Sequence, residues 1–125
     1  MKRLTLKLKE LRPAYKINRI NVDSSDLEAK MREGGREIPP IPVIELPADL
    51  KNNGEKYSFC DGHNRYAAAK AVGIDSVKCL LYIDEDDLNE VSRMTGEASL
   101  MSQSQFIKYL RKNQSTQISI YVRSS

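Results

Sequence analysis

The sequence predicts an α/β (α+β) fold, a single small domain in which a mixed β-sheet carries helices packed against it. Three observations lead there. The chain has 125 residues, 40% hydrophobic and 30% charged, which suffices for one core and is too short for two ordinary domains. Apolar residues recur with a period of two at Leu4, Leu6 and Leu8, and residues 77–83 form a nearly unbroken apolar run, both of them strand patterns. Between them, residues 57–72 pass from a strand pattern through a glycine turn into an alanine-rich helix.

Taken in order, Leu4, Leu6 and Leu8 alternate with Thr5, Lys7 and Lys9, so the first strand is half-buried, and Arg12-Pro13 ends it. Asp23, Ser24 and Ser25 are N-cap residues, with Glu28 three places after Ser25 as a capping box requires. Leu27 and Met31 form the buried stripe of that helix, and Gly34-Gly35 stops it. Pro39, Pro40 and Pro42 lead into a short strand over residues 43–46, where prolines suit a beginning or a sheet edge. Asn53-Gly54 is a hairpin signal, turning this strand back antiparallel into residues 56–60. Tyr66, Ala68, Ala69 and Val72 give the next helix an apolar side with small residues, and Gly73 is its C-cap.

Residues 77–83 read as a central strand. Asp84, Glu85, Asp86 and Asp87 then start a helix, since acidic side chains are favoured where the helix dipole is positive. Consecutive residues point in different directions, so these four make a poor metal cage. Ser102 or Ser104 caps a further helix through Phe106, Ile107, Leu110 and Lys112, and the alternation of Ile118, Ile120 and Val122 predicts a last strand over 117–122. No repeat or heptad seam divides the chain, so residues 1–90 are read as the core and 91–125 as a C-terminal helix and strand extension of the same domain.

The net charge is +3 and the isoelectric point near 8.9, which permits a nucleic-acid or nucleotide partner without demanding one. Lys2, Arg3, Lys7, Lys9, Arg12, Lys16 and Arg19 concentrate positive charge in the N-terminal segment, which is either a weak, salt-sensitive DNA contact or a solvated strand face. No apolar run approaches the length of a membrane span, and Met1-Lys2-Arg3 leads into no secretory core, so a cytoplasmic location without membrane contact is expected. Cys60 and Cys79 lack zinc or CxxC spacing and read as two small buried hydrophobes, with no metal site implied.

The densest chemistry lies at Asp61-Gly62-His63-Asn64-Arg65. A helix starting at His63 presents unpaired N–H groups and a positive dipole end, and Gly62 lets the backbone approach a ligand closely. Arg65 suits bidentate phosphate contacts, and His63 can donate a bond or move a proton near neutral pH. The same residues also fit a plain turn, a helix cap and a solvated first-turn arginine.

The run from Asp61 to Tyr66, followed by three alanines and Gly73, resembles the signature helix start of the ParB/sulfiredoxin superfamily, that is, the ParB-like N-terminal domain. Arg19-Ile20-Asn21-Val22-Asp23 resembles the arginine-led opening of ParB-type domains, and Ile38-Pro39-Pro40-Ile41-Pro42-Val43 resembles a sulfiredoxin segment. The resemblance implies a nucleotide-binding core that holds the phosphates of ATP, ADP or CTP, with or without Mg²⁺, through Asp61, Gly62, His63, Asn64, Arg65 and Arg19. It implies a binding or switch module, possible in association with DNA, and leaves as the alternative a small-molecule phosphotransferase like the free-serine kinases, or a nucleotide hydrolase, with His63 and Glu28 as catalytic groups. Sulfiredoxin activity is not expected, because His63 stands where the motif cysteine would be and Cys60 lies on the strand side of the turn. The 35 or so residues after Asn89 are too few for the helix-turn-helix domain of a ParB protein. Neither the base nor the oligomeric state is written in the sequence.

Overall fold

The leucine alternation builds β1 (Lys2–Lys7), and a 3-10 turn at Leu8–Glu10 redirects the chain into a second short strand, β2 (Leu11–Pro13). The chain then forms α1 (Ser25–Arg32), β3 (Ile41–Glu45), β4 (Tyr57–Phe59), α2 (His63–Val72), β5 (Ser76–Leu81), α3 (Glu85–Thr95) and α4 (Gln103–Ser124). The computed structural model describes residues 1–15, 25–34, 38–97 and 100–124, with 114–124 described by backbone alone. Arg19 and the predicted cap residues Asp23 and Ser24 lie outside the described residues.

The five strands form one mixed sheet in the order β1-β5-β3-β4-β2. β1 and β5 are antiparallel, β3 and β5 parallel, β3 and β4 antiparallel, and β2 and β4 parallel. The predicted hairpin is present: Asn53 (φ 54°) and Gly54 (φ 81°) close a tight turn across the Asn52–Glu55 bridge, and the strands on either side pair antiparallel.

Period-two alternation sorts the sheet's side chains into two cores. Leu6, Ile41, Val43, Phe59 and Cys79 point to one face and pack with Tyr66 of α2. Ile44, Leu46, Leu80 and Tyr82 point to the other, against Val91 of α3 and Phe106 and Leu110 of α4. Burial on both faces explains why β3 is apolar through Ile44, whereas β5 is fully buried only at Cys79 and Leu80 and keeps Ser76 and Lys78 exposed. α1 packs on α2 rather than on the sheet, and Leu27 and Met31 are only half-buried.

Two expectations need correction. Arg12-Pro13 does not end the N-terminal sheet segment but belongs to edge strand β2, where the missing proline N–H breaks no second ladder. Pro42 is the second residue of β3, at the beginning of the strand as expected; β4 pairs with β3 only from Ile44 onward, so at Pro42 the strand has a single neighbour. The predicted strand over 117–122 is instead the continuation of α4. Residues 103–124 contain no glycine or proline, and extending an existing helix adds a backbone bond for each residue fixed, whereas a new strand needs a free sheet edge.

The acidic run behaves as a helix start. Asp84 is the N-cap of α3 and accepts a hydrogen bond from the Asp87 N–H at 2.9 Å, while Asp87 accepts from the Ile83 N–H at 3.1 Å. Ser102 similarly accepts from the Gln105 N–H ahead of Phe106. Among the described residues no helix is long and apolar enough to cross a membrane.

Tyr82, 1% exposed, donates its hydroxyl to the Met101 carbonyl at 2.8 Å and so ties the stretch before α4 to the end of β5. Tyr82→Phe keeps the packing but deprives that carbonyl of its donor, and a loss of about 1–2 kcal/mol is expected. A urea midpoint unchanged from the parent would show that water replaces the hydroxyl there.

Candidate functional site

α2 begins abruptly after Gly62, whose φ of 100° and ψ of 18° place it in the left-handed region. Its carbonyl accepts the first helical bond, from the Tyr66 N–H at 3.0 Å. The N-cap glycine supplies no side-chain cap, and helical geometry gives the N–H groups of His63, Asn64 and Arg65 no carbonyl of their own. The turn also lies hard against the core: a Cβ on Gly62 would stand 3.0 Å from Cγ2 of Ile41, a residue 1% exposed.

A pocket of about 450 Å³ opens at this helix start. Residues 61–65 form its floor, and Tyr15, Leu27, Pro39, Cys60 and Glu97 form its walls. The structure therefore brings together Asp61, Gly62, His63, Asn64 and Arg65. Glu28 stands on α1 next to the lining residue Leu27 and pairs with Arg32 at 3.8 Å. Arg19 lies outside the described residues.

Arg65 divides its two terminal nitrogens. Nη1 donates to the carbonyls of Pro39, at 3.1 Å, and Pro40, at 2.6 Å. Nη2 lies 3.3 Å from Asp61 Oδ2 and 3.6 Å from Glu97 Oε1. The side chain is 11% exposed, so the guanidinium is held in place on one side and bracketed by carboxylates on the other. Both carboxylate distances exceed the roughly 2.7–2.9 Å of a tight charge-assisted bond.

His63 is 6% exposed and sits between aromatic rings, with centroids 5.3 Å from Tyr15 and 4.9 Å from Phe59. Its Nε2 accepts the Tyr15 N–H at 3.3 Å, so that nitrogen carries no proton and the imidazole proton resides on Nδ1. Burial holds its pKa below the usual histidine value, against the pull of the Asp61 charge. His63 is thus a neutral donor, and proton transfer through Nε2 would first have to break the Tyr15 bond.

Burial raises the pKa of Cys60 and pushes that of Cys79 up to about 12. Both are free thiols, and only the thiolate is a competent nucleophile. Cys79 is the buried hydrophobe expected; Cys60 is half-buried and lines the pocket. Among the described residues no three His, Cys, Asp or Glu side chains converge as a metal ion would need.

Of the N-terminal cations, Arg12 pairs with Glu55 at 2.8 Å, whereas Lys2, Arg3, Lys7 and Lys9 are exposed. In α4, Arg111 forms a two-pronged pair with Asp49 at 3.0 Å. Sequence reasoning missed Tyr15, Leu27, Pro39 and Glu97 as pocket residues. Only Pro39 had a local signal, since it lies in a segment that resembles sulfiredoxins; Glu97 follows the C-cap Gly96 with no motif around it.

No family model matches the sequence, and no curated protein matches it. Solved structures do. Sulfiredoxin from Arabidopsis thaliana matches at 21% identity over 73% of this chain and 97% of its own, with a TM-score of 0.51. The C-terminally truncated chromosome-partitioning protein ParB from Caulobacter crescentus, complexed with CTP-γ-S, matches at 24% identity over 80% of this chain and 56% of its own, with a TM-score of 0.52. A Pnob8-like ParB-N domain matches at 15% identity over 99% of this chain and 49% of its own, with a TM-score of 0.50. The chain spans nearly all of the sulfiredoxin and about half of each ParB structure. At these identities the likeness shows the fold alone.

Proposed function

For a chain that has the ParB/sulfiredoxin-like fold, we propose that the pocket at the start of α2 binds the phosphates of a nucleotide, ATP, ADP or CTP, and that the domain acts as a binding or switch module. One observation carries this reading: an uncapped helix N-terminus, preceded by a glycine in the left-handed region, opens into a pocket with an anchored arginine at its side. Unpaired amides and the helix dipole favour a negative guest, and the low-entropy guanidinium adds geometry. In this reading Gly62 permits close approach, the His63, Asn64 and Arg65 amides receive phosphate oxygens, and Nη2 of Arg65 completes the contact. That the ParB from Caulobacter crescentus was solved with CTP-γ-S supports a nucleotide as the guest. The exposed Lys2, Arg3, Lys7 and Lys9 support a weak, salt-dependent contact with DNA.

Phosphotransfer by His63 and Glu28 has less support, because His63 Nε2 accepts a backbone bond and Glu28 faces Arg32. A thermal-shift panel of ATP, ADP, CTP and GTP, each with and without Mg²⁺, tests the reading. A guest at about 100 times its Kd stabilises by about 2.7 kcal/mol, so a rise of several degrees is expected for at least one nucleotide. No shift with any of the four at millimolar concentration would end the proposal. Product analysis of the stabilising nucleotide then distinguishes retention from turnover.

A further inference from the structure

We propose that Glu97 is an internal competitor for the phosphate position: its carboxylate holds Nη2 of Arg65 while the pocket is empty, and an anionic guest must displace it to bind. This rests on the phosphate reading of the same pocket and assigns Glu97 the role of setting which anions gain access.

The division of labour within Arg65 is the ground for it. Nη1 is committed to the Pro39 and Pro40 carbonyls at the approach to β3, so Nη2 is the terminal nitrogen left for a guest. That nitrogen is flanked by Asp61 at 3.3 Å and Glu97 at 3.6 Å. Asp61 belongs to the turn itself, four residues before Arg65, so its backbone is fixed by the start of α2. Glu97 comes from a different part of the chain, just after the C-cap of α3, and its side chain is 32% exposed, so it can rotate into solvent while α2 stays intact.

Charge makes the competition selective. With both carboxylates ionised, two negative charges face one guanidinium, and the pocket side carries a net single negative charge that repels an anion. A triphosphate brings enough charge to the helix amides and Nη2 to overcome it, and a monophosphate brings less. Burial and the neighbouring Asp61 carboxyl hold the Glu97 carboxyl above the usual carboxylate range, against the pull of Arg65. Acidification therefore neutralises Glu97 earlier than an ordinary glutamate, releases Nη2 and tightens anion binding. Among the described residues, the other titratable groups lining the pocket are His63, whose pKa is lowered, and Cys60 and Tyr15, whose pKa values are raised; all three stay uncharged near neutral pH.

Calorimetric titration of ATP, CTP and AMP into the parent, Glu97→Gln and Arg65→Ala, without divalent cations, provides the test. At about pH 8 Glu97→Gln should bind the triphosphates roughly three- to tenfold tighter than the parent and narrow the gap between ATP and AMP. Between about pH 8 and about pH 5.5 the parent should gain affinity more steeply than Glu97→Gln, which lacks the titrating group. Glu97→Ala, checked by thermal unfolding, carries the same expectation should the glutamine variant fail to fold. Equal or weaker binding by both Glu97 variants, while Arg65→Ala loses affinity, would overturn the competitor role and leave the phosphate site standing. Absence of binding by the parent and the Glu97 variants alike, or undiminished binding by Arg65→Ala, would overturn the site and the competitor together.

Discussion

Arg65→Ala is expected to weaken nucleotide binding by roughly 10- to 150-fold, the effect of losing charge-assisted hydrogen bonds worth about 1.5–3 kcal/mol. The loss is of geometry as well as of charge. Nη1 is fixed by two proline carbonyls, so Nη2 is presented to the pocket at little conformational cost, and lysine cannot make both attachments with one ammonium group. Arg65→Lys should accordingly recover only part of the affinity. The alanine variant also leaves the Pro39 and Pro40 carbonyls without their donor, so a modest fall in the unfolding midpoint should accompany the binding defect. Calorimetry alongside circular dichroism separates the two. A folded Arg65→Ala protein with parental affinity would remove Arg65 from the site.

The second large effect is on stability. Gly62→Ala must accept a φ of 100°, and it must place a methyl group 3.0 Å from a core isoleucine. Left-handed backbone costs an L-residue about 1–2 kcal/mol, and overpacking a tight core adds about 1–3 kcal/mol, so a total of about 2–5 kcal/mol is expected. Gly73→Ala supplies the control. Gly73 has a similar φ of 79°, yet a Cβ there would meet nothing within 4 Å. Its alanine variant should therefore show the backbone term alone, and the difference between the two urea midpoints measures the contact with Ile41. Equal midpoints would mean that Ile41 yields without cost.

Elements governed by neighbours in sequence were legible. The Asn53-Gly54 turn, the Gly62 and Gly73 ends of α2 and the Asp84 cap of α3 were all readable, because each depends on backbone conformations or hydrogen bonds spanning a few residues. The C-terminal strand was misread because alternation over six residues cannot reveal whether a sheet edge is within reach, and α4 was already propagating from Gln103. Pro42 was expected at the beginning of its strand or at an edge, and it stands at the beginning, where the offset of β4 along β3 leaves only one neighbour.

The pocket separates along the same line. By itself, the sequence determined the sheet-and-helix fold and the glycine turn from Asp61 to Arg65 that opens α2, since a strand, a glycine and an alanine-rich helix impose that geometry on adjacent residues. Tertiary structure alone decided that Tyr15 supplies the amide that fixes the His63 tautomer, and that Pro39, Pro40 and Glu97 divide the two nitrogens of Arg65. Those partners come from distant stretches of chain, and they converge only once the sheet, α1 and the end of α3 are in place; hydrogen bonds and ion pairs fall off too steeply with distance to exist before then.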